Sequence, residues 1–199
     1  MRIKQTPSQT IGPFFHYGLN PLEANYPHTQ ITGSCLVSPK IEGERIRLTG
    51  RVFDGKGVVV EDALVEIWQA NAAGRYRHPG DTRVDRALDH DFSGFGRCGT
   101  GMHEGCHFSF YTIKPGSGQV GHAPFISVTL FMRGLLNHVY TRVYFDDEVA
   151  ANAADPVFSS VDEERQSTIL AKRRDSREGV EYVFDIHMQG DQETVFFDL

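Results

Sequence analysis

From residue 46 onward, apolar side chains return at every second position in one segment after another. In IRLTGRVFD, Ile46, Leu48, Gly50 and Val52 fall on one side; in ALVEIWQ, Leu64, Glu66 and Trp68 oppose Val65, Ile67 and Gln69. HFSFYTI (107–113), FISVTLFM (125–132), VYTRVYF (139–145) and YVFDIHM (182–188) read the same way, and ETVFFDL closes the sequence as a short apolar strand. Successive side chains of an extended chain point to opposite faces, so this alternation is the period of half-buried strands. DGKG (54–57) supplies a turn between the first two segments,. Strands at such spacing predict a mainly β protein, an antiparallel β-sandwich.

The remaining stretches frame that core. Residues 1–40, rich in Pro, Gly, Asn, Ser and Thr without steady periodicity, predict an irregular arm that drapes over a surface,. DDEVAANA before Pro156 and SVDEERQSTILAKRR predict short helices, the second with Ser160 and Glu163 at capping-box spacing and Arg173 and Arg174 at its end,. Asp146 and Asp147 would then sit at a strand-to-helix junction, complementing the helix N-terminus. No repeat or linker divides the sequence, so 1–199 is expected to form one domain: the arm, then a core over 41–199 with a helical insert at about 147–175,.

Charge limits the partners. The 20 Lys and Arg against 26 Asp and Glu give a net charge of −6 with no basic run, which argues against nucleic acid or an anionic membrane surface,. An anionic substrate would therefore need a local cation. Three cysteines make no disulfide framework, the start MRIKQTPSQT lacks an apolar signal region, and FISVTLFM falls far short of the roughly 20 residues that span a bilayer,. The expectation is a cytoplasmic protein without a membrane segment.

Few motifs carry chemistry. Cys98, His103, Cys106 and His107 in CGTGMHEGCH are zinc-ligand types, but their spacing matches no ribbon or finger,. Gly99, Gly101 and Gly105 make a hairpin loop of solvated histidines and small buried thiols the expected outcome. There is no phosphate-cradling glycine loop and no GxSxG elbow. In EIWQANAAGRYRH (66–78), Tyr76 and His78 follow a glycine-containing turn and could be metal ligands or ordinary loop side chains.

Leu48-x-Gly50-x-Val52, Gly57, Val60, Val65-Glu66-Ile67 and Gly74-x-Tyr76 resemble, at fixed spacing, the signature of the intradiol ring-cleavage dioxygenases, whose last tyrosine ligates iron. The resemblance extends over nearly the whole chain, through TPSQTIGPFFH (6–16), FMRG (131–134), TRVYFDDE (141–148), LAKR (170–173) and QGDQETVFFDL (189–199). It is closest to the subunit of a two-subunit member that holds no iron itself.

In the iron-holding subunits of the family, two tyrosines and two histidines bind Fe3+, because anionic phenolates favour the ferric ion. Tyr76 matches the first tyrosine. The second lies in a Pro-Gly-Pro-Tyr context where this sequence has Pro115-Gly116-Ser117-Gly118, and the histidines lie in Pro-Ala-His-Ile-His where it has Ala123-Pro124-Phe125-Ile126-Ser127. Gly118, Phe125 and Ser127 supply no ligand, and His122 is out of register. The resemblance thus implies a vestigial Tyr76, its hydroxyl partnered in a filled site, with Fe3+ held by a partner β subunit. It further implies that Thr10, Gly12, Pro13, Phe14 and Arg133 complete the partner's pocket for protocatechuate, with Phe14 where the family commonly has tyrosine. The reaction so implied is intradiol cleavage by O2 to 3-carboxy-cis,cis-muconate in a hetero-oligomer. Two other readings stay open: a stand-alone binding or structural sandwich, and a homomeric enzyme holding another metal near His103 and His107.

Overall fold

The computed structural model describes residues 10–101 and 103–198. Its strands are β1 (Arg45–Gly50), β2 (Val52–Phe53), β3 (Leu64–Trp68), β4 (Phe95–Gly99), β5 (Phe108–Ile113), β6 (Phe125–Phe131), β7 (Val139–Phe145), β8 (Leu170–Ser176), β9 (Gly179–Val183) and β10 (Ile186–His187). The order is β4-β3-β6-β7-β8-β9-β1-β5, with β10 and β2 as a separate pair. Only Tyr144↔Leu170 and Phe145↔Ala171 join β7 to β8, so the sheet divides there into two halves of four strands. Those halves face each other across one core. Val65, Ile67, Ile126, Val128, Leu130 and Val143 from one half bury against the cluster that holds Ile46, Leu48, Phe108, Phe110 and Tyr182 from the other. The sandwich is mainly antiparallel, but β1 and β9, β7 and β8, and β10 and β2 pair in parallel. DGKG does turn the chain, with the antiparallel bridge Phe53↔Val59 and a hydrogen bond from Val60 N–H to Val52 O at 2.8 Å across it, but the longer strands on either side do not pair with each other: β1 lies between β5 and β9, and β3 between β4 and β6.

Several expected elements differ. The arm is not wholly irregular: Pro13–Leu19 forms helix α1, opened by a proline whose missing N–H lies where the first turn needs none,. Helices α2 (Val149–Ala154), α3 (Pro156–Ser159) and α4 (Glu163–Gln166) run into a 3-10 turn at Ser167–Ile169, where helical structure ends. The LAKRR segment, expected as the tail of a helix, is strand β8, so Arg173 and Arg174 lie on a sheet instead of at a helix end. Backbone pairing with β7 and β9 overrides the segment's helix propensity,. The capping box does not form either: Ser160 closes α3, its hydroxyl donating to Val157 O at 2.7 Å.

Asp146 and Asp147 answer to neighbours other than a helix dipole. Asp147 Oδ2 pairs with Lys114 Nζ at 2.9 Å and Arg173 Nη1 at 3.2 Å, and accepts from the Tyr182 hydroxyl at 2.9 Å, while Asp146 Oδ1 accepts from the Arg173 N–H. The segment expected as a hairpin around CGTGMHEGCH instead passes from one half of the sandwich to the other, since β4 pairs with β3 and β5 with β1. The terminal ETVFFDL contributes a single bridge, Tyr140↔Phe197.

Candidate functional site

The face of β6 that turns away from the core carries Phe125, Ser127, Thr129 and Phe131, all half-buried, between the fully buried Ile126, Val128 and Leu130. Registers extend that outer face sideways: Trp68 lies opposite Ser127, which lies opposite Arg142, and Leu64 lies opposite Phe131. Beyond Arg142, Tyr144 is buried under the helices with Phe158, Val161 and Ile169. Two clefts open on this face, one at each end of β6.

At one end stands Tyr76, in the long loop between β3 and β4. Asn71 shapes the turn before it, its Oδ1 accepting from Arg75 N–H at 2.8 Å and its Nδ2 donating to Ala87 O at 2.9 Å. Gly74, at φ 80°, leaves room for the Ser117 carbonyl, which any Cβ would strike at 2.0 Å. After this turn the Tyr76 ring stacks on Trp68, with centroids 5.6 Å apart, in a cleft of about 480 Å³ that His78, Asp81, Arg83 and Gly118 help to line. Asp81 holds the loop in place: its Oδ2 accepts from Tyr76 N–H at 2.8 Å and its Oδ1 from Arg83 Nε at 2.8 Å. Arg83 and Arg86 donate onward to the carbonyls of Gly118 and Ser117. The Arg83 guanidinium, helped by the amide N–H groups of Tyr76 and Arg83, holds the Asp81 carboxyl far below the usual carboxylate range against the opposing effect of burial.

The residues at the four implied ligand positions do not fit a ferric ion. A Cβ on Gly118 would lie 3.2 Å from Tyr76 Cε2, so the tyrosine ring already covers the space from which a second phenol would project. Phe125 and Ser127 offer no imidazole. Among the described residues, no group of three or more His, Cys, Asp or Glu side chains is placed to hold a metal. The Tyr76 phenol is itself poorly disposed to ionise: burial raises its pKa despite the lowering pull of Arg142 and Arg83.

One expectation is corrected at Tyr76. Its hydroxyl finds no hydrogen-bond partner among the described residues, and the contact that positions the ring is its stacking on Trp68. Tyr76→Phe should therefore shift stability by less than about 0.5 kcal/mol, below the worth of a typical buried hydrogen bond. A thermal melt of the variant checks this, and a large drop would mean that the hydroxyl is bonded.

At the other end of β6 the arm meets the sheet. The Phe15 and Phe131 rings lie 5.4 Å apart, and Arg97, paired with Glu66 at 2.6 Å, also donates to Leu19 O at the end of α1. Thr10 Oγ1 accepts from Gly134 N–H at 3.3 Å. A cleft of about 420 Å³ results, lined by Ile11, Gly12, Phe15, Leu64 and Arg133 together with Glu23, Glu61 and Asp62. Three of the expected pocket residues, Thr10, Gly12 and Arg133, are thus brought together. Pro13 lies in α1, as does Phe14; their side chains, and residues 6–9 of the expected arm motif, fall outside what the structure describes. Arg133 Nε pairs with Asp62, and the arginine side chain is still 66% exposed.

Phe125 and Phe131 are six residues apart on one strand, and Trp68 and Leu64 four apart on the next, so the two clefts are separated by about 13–20 Å,. Near the crossing loop, the His103 and His107 rings stack at 4.7 Å, and burial pushes the Cys98 thiol up to about 12, far from a thiolate ligand. Sequence reading assigned no role to Asp81, Arg83, Arg86 or Arg142: the first three lie in the loop segment DTRVDR, outside any motif, and Arg142 stands within TRVYFDDE as one residue of a matching stretch.

A family model described as Dioxygenase matches residues 28–190. The chain is 48% identical to the protocatechuate 3,4-dioxygenase alpha chain of Burkholderia cepacia over 99% of its own length and 98% of that protein's. It is 38% identical to the protocatechuate 3,4-dioxygenase beta chain of the same organism over 74% of its length and 66% of that chain. Among solved structures, an intradiol ring-cleavage dioxygenase from Tetranychus urticae shares the fold, with a TM-score of 0.61 and 16% identity over 93% of this chain and 94% of that one. No helix among the described residues is long and apolar enough to cross a membrane.

Proposed function

This chain belongs to the intradiol ring-cleavage dioxygenase family, and from that premise we propose that it is the iron-free half of a two-chain protocatechuate 3,4-dioxygenase. A partner β chain holds Fe3+, which supplies the oxidising chemistry when bound; this chain contributes Thr10, Gly12, Pro13, Phe14 and Arg133 to the partner's pocket. There protocatechuate and O2 become 3-carboxy-cis,cis-muconate. Likeness to both an alpha and a beta chain supports a pair of related but different subunits.

The observation that carries the reading is the separation of the two clefts. Gly12 and Arg133 line one cleft with Leu64 and Tyr76 lines the other with Trp68, about 13 Å away along β3, so the expected pocket residues and the vestigial ligand position do not share a cleft,. Their cleft is also unfinished. One arginine faces three carboxylates there, a poor site for an anionic ring acid unless another surface brings further charge and closes it,. The Gly12-Pro13 backbone offers a close, stiff wall for a flat ring, and Arg133, paired with Asp62 through Nε yet 66% exposed, offers a planar guanidinium suited to a carboxylate,. In this account the chain binds, orients and shields the substrate.

Arg133 supplies the test. Arg133→Ala in the two-chain enzyme should lower kcat/KM for protocatechuate about ten- to a hundredfold, equivalent to losing a charged hydrogen bond of roughly 1.5–3 kcal/mol, with melting temperature near wild type. Catechol, which lacks the carboxylate, should lose less. Unchanged kinetics with both substrates would reduce Arg133 to the surface partner of Asp62, worth about 0–1 kcal/mol.

A further inference from the structure

The vestigial end of the outer face holds a charge that the signature does not account for. Arg142 stands opposite Ser127 on β7, in the row that continues to Trp68 on β3. Its Cζ lies 4.2 Å from the centroid of Phe125, which occupies one lost histidine position, and 6.0 Å from that of Phe197. Its Nη1 is 3.3 Å from the Tyr144 hydroxyl, which in turn donates to Asp155 Oδ1 at 3.3 Å. Among the described residues Arg142 has no carboxylate at ion-pair distance, whereas Arg83, the other cation near Tyr76, is joined to Asp81.

We propose that the Arg142 guanidinium is a resident cation that occupies the vestigial metal site, so that this chain excludes iron by a built-in positive charge as well as by its missing ligands. A guanidinium over an aromatic face is attracted by the ring's negative quadrupole. Phe125 therefore does more than fail to bind metal: it forms the floor on which the arginine rests. A trivalent ion brought to the same place would be repelled by Arg142 and would have to displace it from Phe125 and Tyr144.

The inference rests on the resemblance that puts ligand positions at 76, 118, 125 and 127, but not on the pocket role of Arg133, so each can fail without the other. The test restores the donors: Gly118→Tyr, Phe125→His and Ser127→His together, with Arg142 kept in one variant and changed by Arg142→Gln in a second. Each is purified, checked for a cooperative melt, loaded with ferric iron and read by iron content and visible tyrosinate absorption. The expected result is at least a fivefold higher iron content in the variant that carries Arg142→Gln. Equal content in the two, whether stoichiometric or nil, would overturn the proposal. If the imported ligands prevent folding, Arg142→Ala alone carries the test. Its melting temperature should fall and be partly restored by millimolar guanidinium ion but not by the same concentration of sodium; no selective rescue would equally overturn it.

Discussion

Asp155→Ala is expected to destabilise the chain by about 3–5 kcal/mol, the range for a buried charged group whose removal leaves several partners unpaired. Asp155 is fully buried, and its two oxygens gather groups from three elements. Oδ1 accepts from Val157 N–H at 2.8 Å and Phe158 N–H at 2.9 Å, capping α3, and from the Tyr144 hydroxyl. Oδ2 accepts from Ala123 N–H at 2.9 Å and lies 3.1 Å from His122 Nδ1. One side chain thus ties the helices to the start of β6 and fixes where Phe125 emerges. At roughly 2–4 °C per kcal/mol for a chain of this size, the melting temperature should drop by about 6–20 °C. Asp155→Asn, which keeps one acceptor, should lose clearly less.

The same residue sets a pH dependence. Burial alone would raise the Asp155 pKa, but the amide N–H groups of Phe158, Ala123 and Val157, with His122, outweigh it and hold the carboxyl below its usual value. The unfolded chain then binds the proton more readily than the folded one. The resulting stability is complete above the unfolded carboxylate range near 3.9 and is lost as pH falls through the lower folded value. Melting temperature in Asp155→Asn should therefore depend less steeply on pH below about 4 than in the wild type.

Removing residues 1–16 should leave the sandwich folded while lowering kcat/KM of the two-chain enzyme by a factor of a hundred or more, since misplaced positioning groups alone can cost about that much. The deletion takes away Phe15, whose ring packs on Phe131, and Thr10, which accepts from Gly134, but none of the residues of the buried core. A cooperative melt within a few degrees of wild type, together with weak association with the partner chain, is the expected pair of results. A truncated complex that assembled and turned over normally would remove the arm from the account.

The sandwich was legible because β1, β3, β5, β6 and β7 carry large apolar side chains in the period of two, whereas the segment read as one strand over 182–188 holds only the end of β9 and the separate, short β10,. Strand β4 was not, because its core-facing positions are Gly96 and Cys98, too small to write the alternation. Strand β8 hid for a related reason: only Ala171 of LAKRRDS is buried, and the rest of the segment favours a helix,. The parallel pairings depend on which distant segments meet, which no local pattern encodes. At the site, a glycine turn before Tyr76 could be read directly, and so could the loss of ligands at Gly118, Phe125 and Ser127. Arg142 could not. An arginine in an alternating strand reads as a solvated face, and only the register opposite Ser127 puts it over Phe125.

The central claim is a division of labour between two chains, and co-expression with a β chain that carries the full tyrosine and histidine ligand set tests it most directly. Iron content and turnover of protocatechuate would be measured for each chain alone and for the purified complex. The account predicts a colourless, inactive chain on its own and a coloured, active complex with one ferric ion per pair. A preparation of this chain alone that held stoichiometric iron and cleaved the ring would contradict it.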